Sequence, residues 1–170
     1  MSMDKIWLKS YPEGTPETID PHEYSSVTDL FEQSVEKFRL CPAYSNFGNT
    51  LNFDDVDRLS RNLAAYLTGE LGLTKGDRVA IMMPNVLQYP ITLFAILRAG
   101  LIVVNVNPLY TPRELEHQLN DSGAVAIVIL ENFAHTLSEV LGSTPIRHVI
   151  STQIADLFGF PKSFIMNVIV

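Results

Sequence analysis

The feature that most limits the folds open to this chain is the alternation inside Arg78 to Gly123, RVAIMMPNVLQYPITLFAILRAGLIVVNVNPLYTPRELEHQLNDSG. Val79 to Met83 is an unbroken apolar run halted by Pro84, as expected of a strand buried on both faces of a parallel sheet. A helical stretch follows. Asn85 and Gln88 have the spacing of a capping box at its start, and Gly100 stands where a C-terminal glycine belongs. Leu101 to Val106 is a second apolar run, stopped at Asn107-Pro108. Thr111, Pro112 and Glu114 open another helix as N-cap, first-turn proline and reciprocal partner, and Gly123 closes it. Strands separated by helices of about ten residues leave few options beyond right-handed βαβ units and a parallel sheet.

The flanks extend the pattern. Ala124 to Leu130 reads as a third strand, Asn132 is placed to cap a helix from Phe133 to Leu141 that Gly142 would end, and Arg147 to Ser151 reads as a fourth strand. Upstream, a helix from Ser26 to Phe38 carries Val27, Leu30, Phe31, Val35 and Phe38 on one face. A hairpin is expected about Phe47-Gly48-Asn49. A helix from Asp54 to Leu71, ended by Gly72, shows the stripe Val56, Leu59, Leu63 and Leu67. Pro12, Gly14, Pro16 and Pro21 make the start an extended arm, whose Trp7 and Leu8 need a surface of this chain or of a partner. The predicted fold class is α/β. It is a mostly parallel sheet of consecutive βαβ units with helices on both faces, preceded by an extended arm, a helix and a hairpin. The predicted organisation is an arm over 1–24, an α/β unit over 25–151 and an apolar tail over 152–170. A tail reading DLFGFPKSFIMNVIV from Asp156 suits a solvated terminus poorly. Its pattern favours further polypeptide over packing onto the domain.

Composition narrows the function classes. A net charge of −7 argues against a nucleic-acid partner, which needs a basic face. The lone Cys41 fits a reducing, cytoplasmic setting and is expected to be a small buried thiol. The apolar tail, with Lys162, is a candidate for peripheral contact with a membrane.

The residues show no Gly-Lys-Ser/Thr phosphate loop, no Gly-x-Gly-x-x-Gly turn and no Gly-x-Ser-x-Gly elbow. His22, His117, His135 and His148 are scattered. No catalytic, cofactor-binding or metal residue is therefore assigned. His117, with Glu114 at i−3 and Asp121 at i+4, has the neighbourhood of a tuned proton carrier, but a solvated helix face opposite Leu115 and Leu119 is favoured. Arg98 is read as complementing a helix dipole in preference to binding an anion. Asn107, Tyr110 and Thr111 sit at the carboxyl end of a strand, where open sheets take ligands. Turning and capping account for them better. Taken alone, the residues also allow a free-standing α/β ligand-binding or receiver-like module.

Gly76-Asp77-Arg78-Val79-Ala80, Leu97-Arg98-Ala99-Gly100 and the run VNVNPLYTPRELEHQL over Val104 to Leu119 resemble the acyl-adenylate-forming enzymes. Within them, the likeness is to bacterial long-chain-fatty-acid–CoA ligases. Leu51-Asn52-Phe53 through Leu67, and Trp7-Leu8 with Tyr11-Pro12, fit the same pattern, which extends to about Ser151. The resemblance implies a parent homodimer using ATP, CoA and Mg²⁺, in which a long-chain fatty acid attacks the α-phosphorus of ATP and the CoA thiol then displaces AMP. That family handles phosphate with a Ser/Thr/Gly-rich loop carrying a lysine, a Thr-Glu pair near Mg²⁺, and an aspartate for the ribose. None has a counterpart here. The resemblance thus implies an N-terminal scaffold portion, inactive by itself.

Overall fold

The computed structural model describes residues 5–159 and 161–169. Met1 to Asp4 of the arm, and Phe160 and Val170 of the tail, lie outside the described residues.

The first helix, α1 (Val27–Phe38), starts where the Ser26 hydroxyl accepts from the Asp29 N–H at 3.0 Å. Strands β1 (Pro42–Asn46) and β2 (Asn49–Asn52) pair antiparallel. Their turn places both Phe47 (φ 47) and Gly48 (φ 73) in the left-handed region, which a two-residue hairpin needs to match the twist of its strands. Asn52 begins α2 (Phe53–Gly69): its oxygen accepts from Asp55 N–H at 2.8 Å, while the Asp55 carboxylate accepts from Asn52 N–H at 3.3 Å. The chain then alternates through β3 (Arg78–Met82), α3 (Gln88–Arg98), β4 (Ile102–Asn105), α4 (Pro112–Ser122), β5 (Ala126–Leu130), α5 (Ala134–Val140) and β6 (His148–Thr152), and reaches α6 (Lys162–Ile169).

The four later strands form one parallel sheet in the order β4-β3-β5-β6. Odd and even side chains of β3 and β5 feed two separate cores. On one face Val79, Ile81, Val128 and Leu130 meet Leu67 of α2 and Ala95 and Ile96 of α3. On the other, Ala80, Met82, Ile127 and Ile129 meet Leu115 and Leu119 of α4 and Leu137 and Val140 of α5. Each fully buried leucine or isoleucine contributes roughly 2–3 kcal/mol of transfer free energy. A third cluster joins Phe31, Leu51, Val56, Leu87 and Ile91 to Ala155 and Phe158 beyond β6, with Phe31 stacked on Phe94 at 3.7 Å between ring centroids. The α/β class with helices on both faces is the one expected.

Several local expectations are corrected. Asn85 does not cap α3, which begins at Gln88 with no side-chain cap. Behind Pro84 the chain makes a tight turn, Val86 N–H to Pro84 carbonyl at 2.8 Å, and this uses up the residues that would have formed the first turn. Asn132 does not cap α5 either, because a 3₁₀ turn over Glu131–Phe133 delays the helix to Ala134. Gly142 lies within a second 3₁₀ turn, Leu141–Ser143. The α2 helix stops at Gly69, two residues short, and Gly72 (φ 65) makes the turn after it. Of the expected α1 face only Phe31 is buried. Cys41 is exposed, not buried. The arm contains a short 3₁₀ turn over Ile6–Ser10, and of the two surfaces expected for Trp7 this chain does not supply one, the side chain being exposed. The tail does pack, through Ala155 and Phe158, yet also leaves apolar residues exposed.

Arg98 stands in the last turn of α3, as expected of a dipole complement, and makes further contacts besides. Its guanidinium, 11% exposed, donates to Asp57 Oδ1 of α2 at 2.7 Å and to Glu32 Oε1 of α1 at 3.0 Å. It also lies 5.8 Å from the Phe31 ring centroid. One cation therefore pins three helices. Burial pushes the Asp57 carboxyl up, but the hydrogen bond from Arg61 and the charges of Arg98 and Arg61 outweigh it and hold the group below the usual carboxylate range.

Two stability predictions follow from this packing. Asp57→Asn removes a charged acceptor and lowers the free energy of unfolding by about 2 kcal/mol at neutral pH, measured by urea titration. Because the folded carboxyl is the stronger acid, this advantage is complete above the unfolded pKa near ~3.9 and is lost below it. The gap between Asp57→Asn and the parent therefore closes as the pH falls through that range. At Gly123 (φ 65), where an added Cβ meets nothing within 4 Å, Gly123→Ala costs only the left-handed backbone, about 1 kcal/mol.

Candidate functional site

In an open parallel sheet, the crevice forms at the carboxyl ends of adjacent strands whose outgoing connections diverge. Here β3 leads through α3 to β4 on one side, while its neighbour β5 leads through α5 to β6 on the other. The switch point therefore lies between Met83-Pro84-Asn85 and Leu130-Glu131-Asn132.

The rim of this crevice is a run of carboxamides and carboxylates. Gln88, on the first turn of α3, is 7% exposed. Its Nε2 donates to the Gln153 carbonyl at 2.6 Å and lies 3.4 Å from both Thr152 Oγ1 and the Ile154 carbonyl. Its Oε1 is buried with no partner among the described residues. Gln153 Nε2 donates in turn to the Glu131 carboxylate at the end of β5. Asp156 Oδ2 accepts from Gln153 N–H at 2.8 Å and Thr152 Oγ1 at 2.9 Å. Asn167 of α6 donates to Asp156 Oδ1 at 3.1 Å and accepts from Ala155 N–H at 2.9 Å. The depression beside this network is lined by Glu131, Asn132, Gln153, Ile154, Met166 and Asn167.

Such a rim can hold neutral polar groups. It suits a nucleoside triphosphate badly, since the charged groups facing the crevice are carboxylates and would repel phosphate oxygens. Among the described residues no three His, Cys, Asp or Glu side chains are grouped to hold a metal ion. The residues lining this crevice therefore do not fit ATP·Mg²⁺.

The residues singled out from sequence do not converge on the crevice. Asn107 Oδ1 accepts from Leu109 N–H at 3.0 Å and shapes the turn after β4. Tyr110 packs, partly buried, against the core under α4. Thr111 donates to Glu114 Oε2 through its N–H at 2.9 Å and its hydroxyl at 2.8 Å. Those two bonds, the backbone one first, hold the Glu114 carboxyl below its usual range. His117 is exposed and opens with Thr111, Arg113 and Glu114 onto a shallow depression. Arg98 is spent on Asp57 and Glu32, so it is not an anion site. Sequence reasoning missed Gln88 and Gln153. A carboxamide shows no pattern, and only strand order reveals that two glutamines so far apart meet.

Residues 31–163 match the AMP-binding enzyme family. Over 168 residues the chain is 56% identical to a long-chain-fatty-acid–CoA ligase of Escherichia coli O6:H1, covering 99% of this chain and 30% of that one. The crystal structure of a long-chain-fatty-acid–CoA ligase from Archaeoglobus fulgidus superposes with a TM-score of 0.72 at 29% identity, covering 84% of this chain and 30% of that one. The N-terminal domain of a Mycobacterium tuberculosis protein, FACL13, shares the fold with a TM-score of 0.68 at 22% identity, covering 74% of this chain and 33% of that one. The chain thus spans about 30% of the length of its curated bacterial relatives. The matched region takes in the hairpin and all four strands of the parallel sheet, and on that ground the chain belongs to the AMP-binding enzyme family.

Proposed function

We propose that this chain is the N-terminal scaffold portion of an ATP-dependent long-chain-fatty-acid–CoA ligase, which converts fatty acid, ATP and CoA to acyl-CoA, AMP and pyrophosphate through an acyl-AMP. The observation that carries the reading is 56% identity across nearly the whole chain with a protein of that name. The likeness in fold to an N-terminal domain supports the placement within the parent.

In this reading the phosphate-handling groups belong to polypeptide this chain does not span. Transfer at phosphorus asks for cations and N–H donors around a developing negative charge. The crevice in hand instead presents Glu131, Asp156 and carboxamides already committed to one another. What the portion supplies is a rigid, two-faced sheet. Its organisation is an arm, the α/β unit and a tail that joins the unit through Ala155 and Phe158. A cytoplasmic homodimer belongs to the same proposal, with peripheral membrane contact of the parent made through a surface other than the α6 strip, whose Lys162 is engaged by the Phe47 carbonyl.

The test is acyl-CoA formation from oleate, ATP, Mg²⁺ and CoA. The complete reading frame containing this chain is expected to turn over, and the 170-residue chain to give no product above background. Turnover by the 170-residue chain at the rate of the complete enzyme would overturn the assignment of its chemistry to other polypeptide.

A further inference from the structure

The face of α6 turned away from the domain is apolar. Phe164 is 65% exposed, Ile165 50% and Val168 70%. At positions i, i+1 and i+4 these side chains form one strip along the helix. The helix is not loose. Lys162 donates to the Phe47 carbonyl and stands 4.9 Å over the Phe158 ring centroid. Asn167 is fixed from both its amide atoms, and Met166 packs against the third core cluster. The strip is therefore held out in a set orientation. It stands at the carboxyl end of the sheet, where Phe164 and Val168 border a groove with Gln153 and Asp156. A fixed apolar strip of this kind marks a docking surface.

We propose that α6 docks further polypeptide of the same ligase, laid across the carboxyl end of the sheet. The switch-point crevice then becomes an internal boundary between this unit and the remainder of the enzyme. The inference rests on the reading above that the chain is part of a longer ligase. The material to cover the strip is present in the relatives, of whose length this chain spans only 30%. A lipid surface fits less well, because Asp156 borders the same groove and the Lys162 ammonium is already committed to Phe47. Anionic headgroups attract free basic clusters instead.

The test compares Ile165→Asp with Val168→Asp, combined, in the complete ligase and in the 170-residue chain. The melting temperature of the complete ligase is expected to fall by about 4 °C or more, and that of the 170-residue chain to move by no more than about 1 °C, as for exposed sites. A second measurement needs no substitution. Amides of residues 162–169 are expected to exchange with solvent at least about tenfold more slowly in the complete ligase than in the 170-residue chain. Equal exchange in the two proteins, or an unchanged melting temperature in the complete ligase, overturns the inference. So does loss of self-association by the substituted 170-residue chain, which assigns the strip to a second copy. Loss of binding to phosphatidylglycerol-containing vesicles overturns it as well, in favour of a lipid. Acyl-CoA formation is measured in the same preparation of the complete protein. Its absence sinks the ligase reading and leaves the exchange comparison interpretable.

Discussion

The constraint on which the structure depends is that two adjacent strands, β3 and β5, have no face turned to water. From Val79 to Met82 and from Ala126 to Leu130 every residue is buried. A strand that is apolar on both sides must be covered on both sides. The chain can supply that cover only with the segments that connect its strands. The right-handed crossover from β3 to β4 puts α3 on one face, and the return from β4 to β5 carries α4 over the other. The two cores, one on each face, follow from burying these two runs.

The buried polar groups described are few, and they reinforce at defined points the same helix and loop contacts that the apolar clusters make. Arg98 ties α3 to both α1 and α2, and Thr92 returns its hydroxyl to the Gln88 carbonyl at 2.8 Å inside α3. Gln88 ties the start of that helix to the segment leaving β6. Neither tie is fully matched. Arg98 Nε and Gln88 Oε1 are buried without partners among the described residues, and each such atom costs about 1–3 kcal/mol relative to a satisfied one. Polar residues that incur that cost while bridging separate helices specify where the elements meet more than they add net stability.

What could be read beforehand and what could not divide along range in the chain. The two central strands, the Thr111–Glu114 box and the Phe47-Gly48 turn are local signals, carried by neighbours within four residues, and they survive folding unchanged. Asn85 and Asn132 are local signals too, but each met a stronger local competitor. Pro84 redirected the backbone before the first, and the Glu131–Phe133 turn absorbed the second. The ion pairs of Arg98 are illegible for a different reason: its partners lie 41 and 66 residues away. Next to its own helix terminus it has the position of a dipole complement, and nothing local separates the two roles. Turning and capping, the roles favoured for Asn107 and Thr111, are the ones the structure shows, and the place of the crevice is not legible because strand order cannot be read from periodicity. Once β5 is known to sit beside β3, the divergence of their connections places it at Pro84 and Glu131.

That divergence sets the crevice among the polar side chains that follow β5 and β6. The switch point is where a doubly covered sheet offers backbone ends and helix termini to a ligand, and here the chain fills that place with its own polar groups. Glu131 and Asp156 engage Gln153, Thr152 and Asn167, so the carboxylates that face the crevice stabilise the loop leaving β6 and the seating of α6. A crevice that attracted a triphosphate would need the opposite charge at the same points. In the docking proposed for α6, the carboxyl end of the sheet serves as a joint. Polar ties set the angle of α6, and α6 in turn sets the direction in which its apolar strip faces. A segment tied this way holds a fixed orientation relative to the sheet it leaves.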